Sequence, residues 1–331
     1  MEKKTVLKIS IIGSGRLGST LACAIENANS REASVVSVSS RTEKTLLAAK
    51  ELLGNSSKKI FFTQNNFLAA KISNCIFICT PDDEIKKTCN EIFKTSEAFN
   101  DKEEDKVFSG QPEEPAKGSN NIKFPEEMIV FHFSGSKKLD VLGSAGKAGA
   151  SVACMHPLKS FASACEAAKT LENTLYGVTY YKNDINAKKT IDILLKILKG
   201  RTIFVENEKK TLYHACACIA SNYLVSLMDF ATDAGSEVGL DPQVFLSGLI
   251  NLSEGTLLNV KKLGTKKALT GPIARGDIST VSEHIEIIKS LNRDDIKELY
   301  EIMGKKTAKI ALENKWINDK TYNELVKILN K

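Results

Sequence analysis

A chain of 331 residues with 42% hydrophobic side chains is long enough for two domains with substantial cores. Its net charge of +6 is dispersed among acids rather than clustered with aromatics, which argues against nucleic-acid binding and leaves anionic small molecules compatible. Met1-Glu2-Lys3-Lys4 lacks the apolar stretch of a signal peptide, and no apolar run reaches bilayer-spanning length, so the expectation is a cytoplasmic protein with no membrane partner.

Lys8–Ile12 reads as a buried strand that runs straight into Gly13-Ser14-Gly15-Arg16-Leu17-Gly18, and Leu17–Ala28 has helical periodicity. In a Gly-x-Gly-x-x-Gly turn the first glycine permits the tight turn, the second admits a pyrophosphate to the backbone, and the third lets helix and strand pack closely. The pyrophosphate then sits on the N-terminus of the helix, where free N–H groups favour an anion. A second strand, Val35–Val38, ends in Ser39-Ser40-Arg41-Thr42 where a carboxylate would grip the ribose of NAD. Hydroxyls and a guanidinium there suit a 2′-phosphate, so the expected cofactor is NADP(H).

The alternation continues with a helix at Glu43–Leu53, a strand at Ile60–Thr63 and an apolar strand at Asn74–Cys79 that ends in Thr80-Pro81. Carboxyl ends of strands face the ligand crevice in a doubly wound sheet, which places Thr80 and Pro81 beside the cofactor. Thr95–Lys123 is polar and aperiodic and reads as a surface insertion pointing away from the cofactor. Strands follow at Met128–Phe133, Ser151–Met155, Val178–Tyr181 and Thr202–Val205, with helices near Ala162–Leu171 and Ile185–Leu198. From Glu206 onward the pattern is helical: a long helix at Lys210–Ala234, one after Asp241-Pro242, one from Asp277 to Leu291, and two amphipathic ones. The fold class is therefore α/β, a Rossmann-like doubly wound sheet at residues 1–206 followed by an all-α domain at 207–331. The eight cysteines lie mostly in apolar contexts without paired spacing, which predicts core residues and no metal site.

All four histidines stand in compact polar motifs. His132 ends a strand beside Ser134 and Gly135, and His156 follows a strand on the same sheet edge. Lys210 and His214 share one helix face at i and i+4, and Ser221 and Asn222 extend that polar stripe. In Thr270-Gly271-Pro272-Ile273-Ala274-Arg275-Gly276-Asp277 two glycines and a proline fix a loop that can hold Arg275 against a substrate carboxylate, with Asp277 capping the next helix. Bracing of the loop by an Arg275–Asp277 pair is the structural alternative.

These motifs together resemble a bacterial family that joins a Rossmann-like NADP-binding domain to a C-terminal domain of formerly unknown function. More remotely the chain is similar to the superfamily with a 6-phosphogluconate-dehydrogenase-like helical domain: pyrroline-5-carboxylate reductases, β-hydroxyacid dehydrogenases and ketopantoate reductases. The resemblance implies a nicotinamide-dependent reductase of a small carboxylate, a 2-oxoacid such as ketopantoate, assembled as a homodimer through the helical domain. In the β-hydroxyacid branch a lysine on the long helix is the general acid and base, with an asparagine one turn later. Lys210 matches that lysine, whereas His214 stands in place of the asparagine. The catalytic residues so implied are Lys210, His214 and Asn222, with Arg275, His132, Ser134, His156 and Ser221 around the substrate. Reduction of a cyclic imine, or cofactor binding without turnover, are the alternatives.

Overall fold

A computed structural model describes residues 6–93, 124–125, 127–161 and 163–330. The expected insertion at 95–123 lies outside the described residues.

Two compact units divide between Cys218 and Ile219. The first contains β1 (Leu7–Ile12), α1 (Arg16–Asn27), β2 (Ala33–Ser39), α2 (Glu43–Leu53), β3 (Phe61–Thr63), α3 (Asn66–Lys71), β4 (Cys75–Ile78) and α4 (Ile85–Ile92). It continues with β5 (Ile129–His132), α5 (Gly143–Lys147), β6 (Ser151–Pro157), α6 (Ala164–Lys169), β7 (Leu175–Tyr180), α7 (Ile185–Ile197), β8 (Arg201–Phe204) and most of α8 (Lys210–Ala220).

The strands form one sheet in the order β3-β2-β1-β4-β5-β6-β7-β8. The first six are parallel, β7 runs antiparallel to β6, and β8 is parallel to β7. β-branched and aromatic side chains alternate to two buried faces, as a sheet covered by helices on both sides requires. One face packs Ile9, Ile11, Phe77 and Phe131 with Leu21 and Ile25 of α1 and Leu194 of α7. The other packs Ile12, Ile76, Ile78 and Val130 with Ile85, Cys89 and Ile92 of α4. The chain reverses its winding between β1 and β4, so the crevice at their carboxyl ends is the expected ligand position in such sheets.

Two sequence expectations are corrected here, and three short helices are added to them. Strand β6 extends through Pro157, so His156 lies within it, pairing with Gly177 of β7 rather than following the strand. Helices α3, α4 and α5 are too short for their periodicity to stand out in the sequence. The domain boundary falls at 218/219 rather than 206/207, because the first turns of α8 dock onto the sheet and bury Lys210.

The second unit is all helical: α9 (Asn222–Glu237), α10 (Pro242–Lys267), α11 (Pro272–Arg275), α12 (Ile278–Ser290), α13 (Asp294–Glu313) and α14 (Asp319–Ile328). Its core joins Val281 and Ile285 of α12, Ala308 and Ala311 of α13, and Leu325 and Leu329 at the end of the chain. Helix α10 kinks at Gly264, whose φ of 76° is outside the helical region. The helix expected at 210–234 is interrupted at Ser221, whose φ and ψ of −118° and −65° separate α8 from α9. Residues 207–237 nevertheless contain a window of mean hydropathy 1.3, long and apolar enough to cross a membrane, contrary to the sequence expectation. Its leading end is docked on the sheet through Lys210, which is 1% exposed.

Candidate active site

Strand β1 enters the glycine turn through Gly13, whose φ is 99°. A Cβ there would stand 3.0 Å from the Cys79 carbonyl and the Thr80 nitrogen, so the turn lies directly against the end of β4. At Gly18 a Cβ would come within 2.0 Å of the Gly13 oxygen, which only a glycine avoids. A Cβ on Gly15 would meet nothing within 4 Å, and Gly15 starts α1 with no side-chain cap, leaving its first N–H groups to an outside acceptor. Thr80 Oγ1 is buried without a partner at the same edge. An open backbone cradle and an orphaned hydroxyl beside it fit the phosphates and sugar of a dinucleotide.

Other predicted cofactor residues have distinct placements. Ser14 donates to the Thr45 carbonyl at 3.2 Å, so its backbone rather than its hydroxyl faces the cradle. Arg16 donates to the Phe161 carbonyl at 3.4 Å, Leu17 packs on the core, and Pro81 is exposed. Ser39 is corrected: it is fully buried and its hydroxyl donates to Asn66 Oδ1 at 2.8 Å, which removes it from a 2′-phosphate. Ser40 shares a 2.6 Å hydrogen bond with Thr45 Oγ1, which is 2.9 Å from Thr42 Oγ1, and Arg41 is exposed beside them. Thr45 was missed by sequence reasoning; the Thr-x-x-Thr spacing at the α2 N-terminus was its signal, since Thr42 also caps Thr45 N.

At the neighbouring strands the register aligns Ile78, His132, Cys154 and Thr179 in one row across β4 to β7. Helix α8 lays Lys210 over this row. Its Nζ donates to the Ser134 carbonyl at 3.1 Å and to Cys154 Sγ at 3.0 Å, and the Cys154 thiol lies 3.2 Å from the same carbonyl. Among the described residues no carboxylate comes within ion-pair distance of Lys210. Burial raises the Cys154 thiol pKa, while the nearby lysine charge opposes that rise.

His132 is fully buried, and its Nδ1 accepts the Ser134 N–H at 3.3 Å, which assigns the ring proton to Nε2, an atom without a partner. Burial, then the Lys210 charge, then His156, bring its pKa down to about 3. His156 Nδ1 is hydrogen-bonded to the Tyr213 hydroxyl at 3.0 Å, and burial, Lys210 and His214 bring its pKa down to about 4. Burial pushes the Tyr213 phenol up to about 12. The His156 and His214 rings lie edge to face with centroids 5.9 Å apart, and His214 is half-buried. Gly135 makes room for both: a Cβ there would sit 2.5 Å from His214 Cδ2 and 2.9 Å from His156 Nε2. Gly177 does the same for Tyr213, whose hydroxyl would be 2.4 Å from an added Cβ. Asp82 Oδ2 accepts the Ser134 hydroxyl at 2.6 Å and the Ser136 hydroxyl at 3.1 Å.

The structure thus gathers His132, Ser134, His156, Lys210 and His214 in the first unit and adds Asp82, Cys154 and Tyr213. Sequence reasoning passed over those three, because a thiol in an apolar strand and an acid in a turn carry no pattern of their own. Ser221, Asn222 and Arg275 belong to the second unit. There Arg275 is exposed between Gly271 and Gly276, with φ of 98° and 70°, and forms no ion pair among the described residues. The expected cap is present: Asp277 accepts Thr280 N–H at 3.1 Å and its hydroxyl at 2.7 Å, and these bonds lead the lowering of its pKa. His284 is bonded to the Tyr300 hydroxyl at 2.8 Å and braces α12 on α13.

Gly135→Ala is expected to push the two imidazoles apart and abolish turnover while the protein still binds NADP(H), which titration of cofactor fluorescence checks. The buried histidines also set a pH dependence. Because they bind protons less readily folded than unfolded, stability is lost as pH falls below about 6.5. The His156 contribution levels off near its folded pKa of about 4, and that of His132 near 3. Urea midpoints measured from pH 7 down to pH 4 should therefore fall (a window set by these values), and less steeply in His156→Gln.

Residues 8–102 match the family model described as NADP oxidoreductase, coenzyme F420-dependent, and residues 178–307 match the domain of unknown function DUF2520. No curated protein matches the chain. Among solved structures, a Thermotoga maritima protein aligns with a TM-score of 0.62 at 20% identity, over 93% of this chain and 99% of its own. A Bacteroides fragilis protein named as a candidate NADP oxidoreductase aligns with a TM-score of 0.64 at 17% identity, over 93% of this chain and all (100%) of its own. A pyrroline-5-carboxylate reductase from Coxiella burnetii aligns with a TM-score of 0.55 at 15% identity, over 98% and 99% of the two chains. At these identities the likeness is one of fold.

Proposed function

We propose that this chain, an NADP-dependent oxidoreductase that joins an NADP-oxidoreductase domain to a DUF2520 domain, reduces the carbonyl group of a small carboxylate. A 2-oxoacid such as ketopantoate is the substrate we favour. The observation that carries this reading is Lys210, buried without a carboxylate partner among the described residues, beside His132 and His156 that are held neutral. Such a site attracts the negative charge that develops on a carbonyl oxygen during reduction. It disfavours a protonated imine, which would enter as a cation.

The Gly13–Gly18 turn, Thr80 and the Ser40–Thr45 hydroxyl cluster would hold NADPH, which when bound would supply the hydride. His214, half-buried with its ring against Gly135, is the residue we assign to give the proton to the product oxygen. Lys210 is sealed, so it acts through its charge, stabilising the oxyanion and keeping His156 neutral. His132, Ser134 and His156 line the substrate position. In the second unit, Arg275 is exposed and forms no ion pair among the described residues, which leaves its guanidinium available to a carboxylate. All eight cysteines are free thiols, which agrees with a cytoplasmic enzyme.

NADPH oxidation followed by absorbance against 2-oxoacids, ketopantoate first, and against pyrroline-5-carboxylate tests the reading. Turnover of an oxoacid is expected. Turnover of the imine alone would replace it with an imine reductase of the pyrroline-5-carboxylate type, and cofactor binding without turnover would make the protein a sensor or scaffold. His214→Ala and Lys210→Met should each lower kcat by roughly 10²-fold or more, the range of a positioned acid, with NADPH affinity nearly intact.

We further propose a homodimer through the second unit. Helices α9 and α10 leave Tyr223, Val225, Val244, Leu252, Leu257 and Leu258 largely exposed, an apolar surface of the kind a second copy covers. Sedimentation should give twice the chain mass, and Leu252→Glu with Leu258→Glu should give monomers; a wild-type monomer would refute the assembly.

A further inference from the structure

Two residues past Thr80, in the same turn after β4, Asp82 reaches across to the turn after β5. Its Oδ2 accepts the hydroxyls of Ser134 at 2.6 Å and Ser136 at 3.1 Å. The Ser134 hydroxyl oxygen in turn accepts the N–H groups of Ser136 at 3.2 Å and Lys137 at 3.0 Å, so one side chain sets the shape of the whole turn. Asp83 adds a second strap through Lys137 at 2.9 Å, exposed and therefore weaker. The turn held this way presents the Ser134 carbonyl to Lys210 and lays Gly135 against His156 and His214 with no room for a methyl group.

We infer that Asp82 is a positioning residue that couples the cofactor-binding turn after β4 to the imidazoles of His156 and His214. This rests on reading those histidines with Lys210 as the reaction site. Two peptide bonds join Thr80, whose buried hydroxyl awaits a partner, to Asp82, and Pro81 between them is fixed in φ at −52°. Occupation of the cradle moves or stiffens this turn, and a charge-assisted hydrogen bond carries the change to Ser134. From there the tight contacts at Gly135 leave the two rings no freedom to ignore it.

The chain has four histidines, so the imidazole C–H resonances can be followed individually. Adding NADP+ to the full-length wild-type protein should shift the His156 and His214 signals, while the His284 signal reports that the second unit stays folded. In Asp82→Ala, and independently in Ser134→Ala, NADP+ should bind with a Kd within about threefold of wild type, roughly 0.65 kcal/mol from RT ln 3, yet the two shifts should be lost. Asp82→Ala should also lower kcat while leaving KM for NADPH nearly unchanged. Full shifts in either folded variant, or no shift in the wild type, would overturn the coupling. So would loss of NADP+ binding in both variants, since Asp82 would then belong to the cofactor site itself. If the wild type reduces no oxoacid or imine and NADP+ still moves both rings, the functional reading fails and the coupling stands.

Discussion

A lysine charge taken out of water costs several kcal/mol unless nearby dipoles replace its hydration. At Lys210 those dipoles are one backbone carbonyl, from Ser134, and one thiol, from Cys154. Neither carries a formal charge, so the lysine field reaches the imidazoles around it, opposed at His156 by the carboxylate of Asp82. Its effect appears in both buried histidines, where the lysine is the largest cause after burial itself. The same pair of bonds pins α8 to the sheet, which is why the compact unit runs twelve residues beyond the last strand turn at 206 (218 against 206).

Sheet topology decides where this charge stands. Winding reverses between β1 and β4, and the crevice opens at their carboxyl ends beside Gly13 and Thr80. Strands β5 and β6 come next in the order, so His132 and Cys154 stand in register with Ile78 one and two strands from β4. Cofactor turn and polar row are therefore neighbours by strand order alone. Since the pKa values of His132 and His156 lie well below neutrality, the row carries one buried lysine flanked by neutral hydrogen-bonding rings. At their ordinary pKa a fraction of each imidazole would be charged at neutral pH, and the downward shifts remove that fraction.

Much of this was legible in the sequence, for identifiable reasons. The β1 to α2 stretch follows strict periodicity and glycine chemistry, and its elements stand within two residues of expectation. Asp277 announced its helix cap by residue type and position. The antiparallel turn of β7 was not legible, because direction is set by which edge the chain returns to and not by the pattern of a five- or six-residue strand. The break at Ser221 was hidden for a similar reason: apolar residues continue on both sides of the Ser221-Asn222 pair, Ile219 and Ala220 before it and Tyr223 to Val225 after it, so the periodicity runs through it. Ser39 was misassigned because period-2 alternation turns its hydroxyl into the sheet, toward Asn66, while Ser40 next to it points out. Alternation alone should have separated those two serines.

Four glycines show how the two halves of the site are built by one device. Gly13 and Gly18 let the first turn, β4 and α1 approach within distances that any side chain would forbid, and this shapes the cofactor cradle. Gly135 and Gly177 do the same on the neighbouring strands, but what approaches there is an aromatic ring from α8: the imidazole of His214 at one and the phenol of Tyr213 at the other. The second pair has no motif, being set in a Ser-Gly-Ser turn and in mid-strand, so it is invisible to sequence spacing. It nonetheless carries the stronger constraint on chemistry, because rings held by backbone contact cannot shift with the rotamers around them. The fold thus places glycines both at the cradle and at the His156–His214 contact, where an added Cβ would meet backbone or ring atoms at 3.0 Å or less.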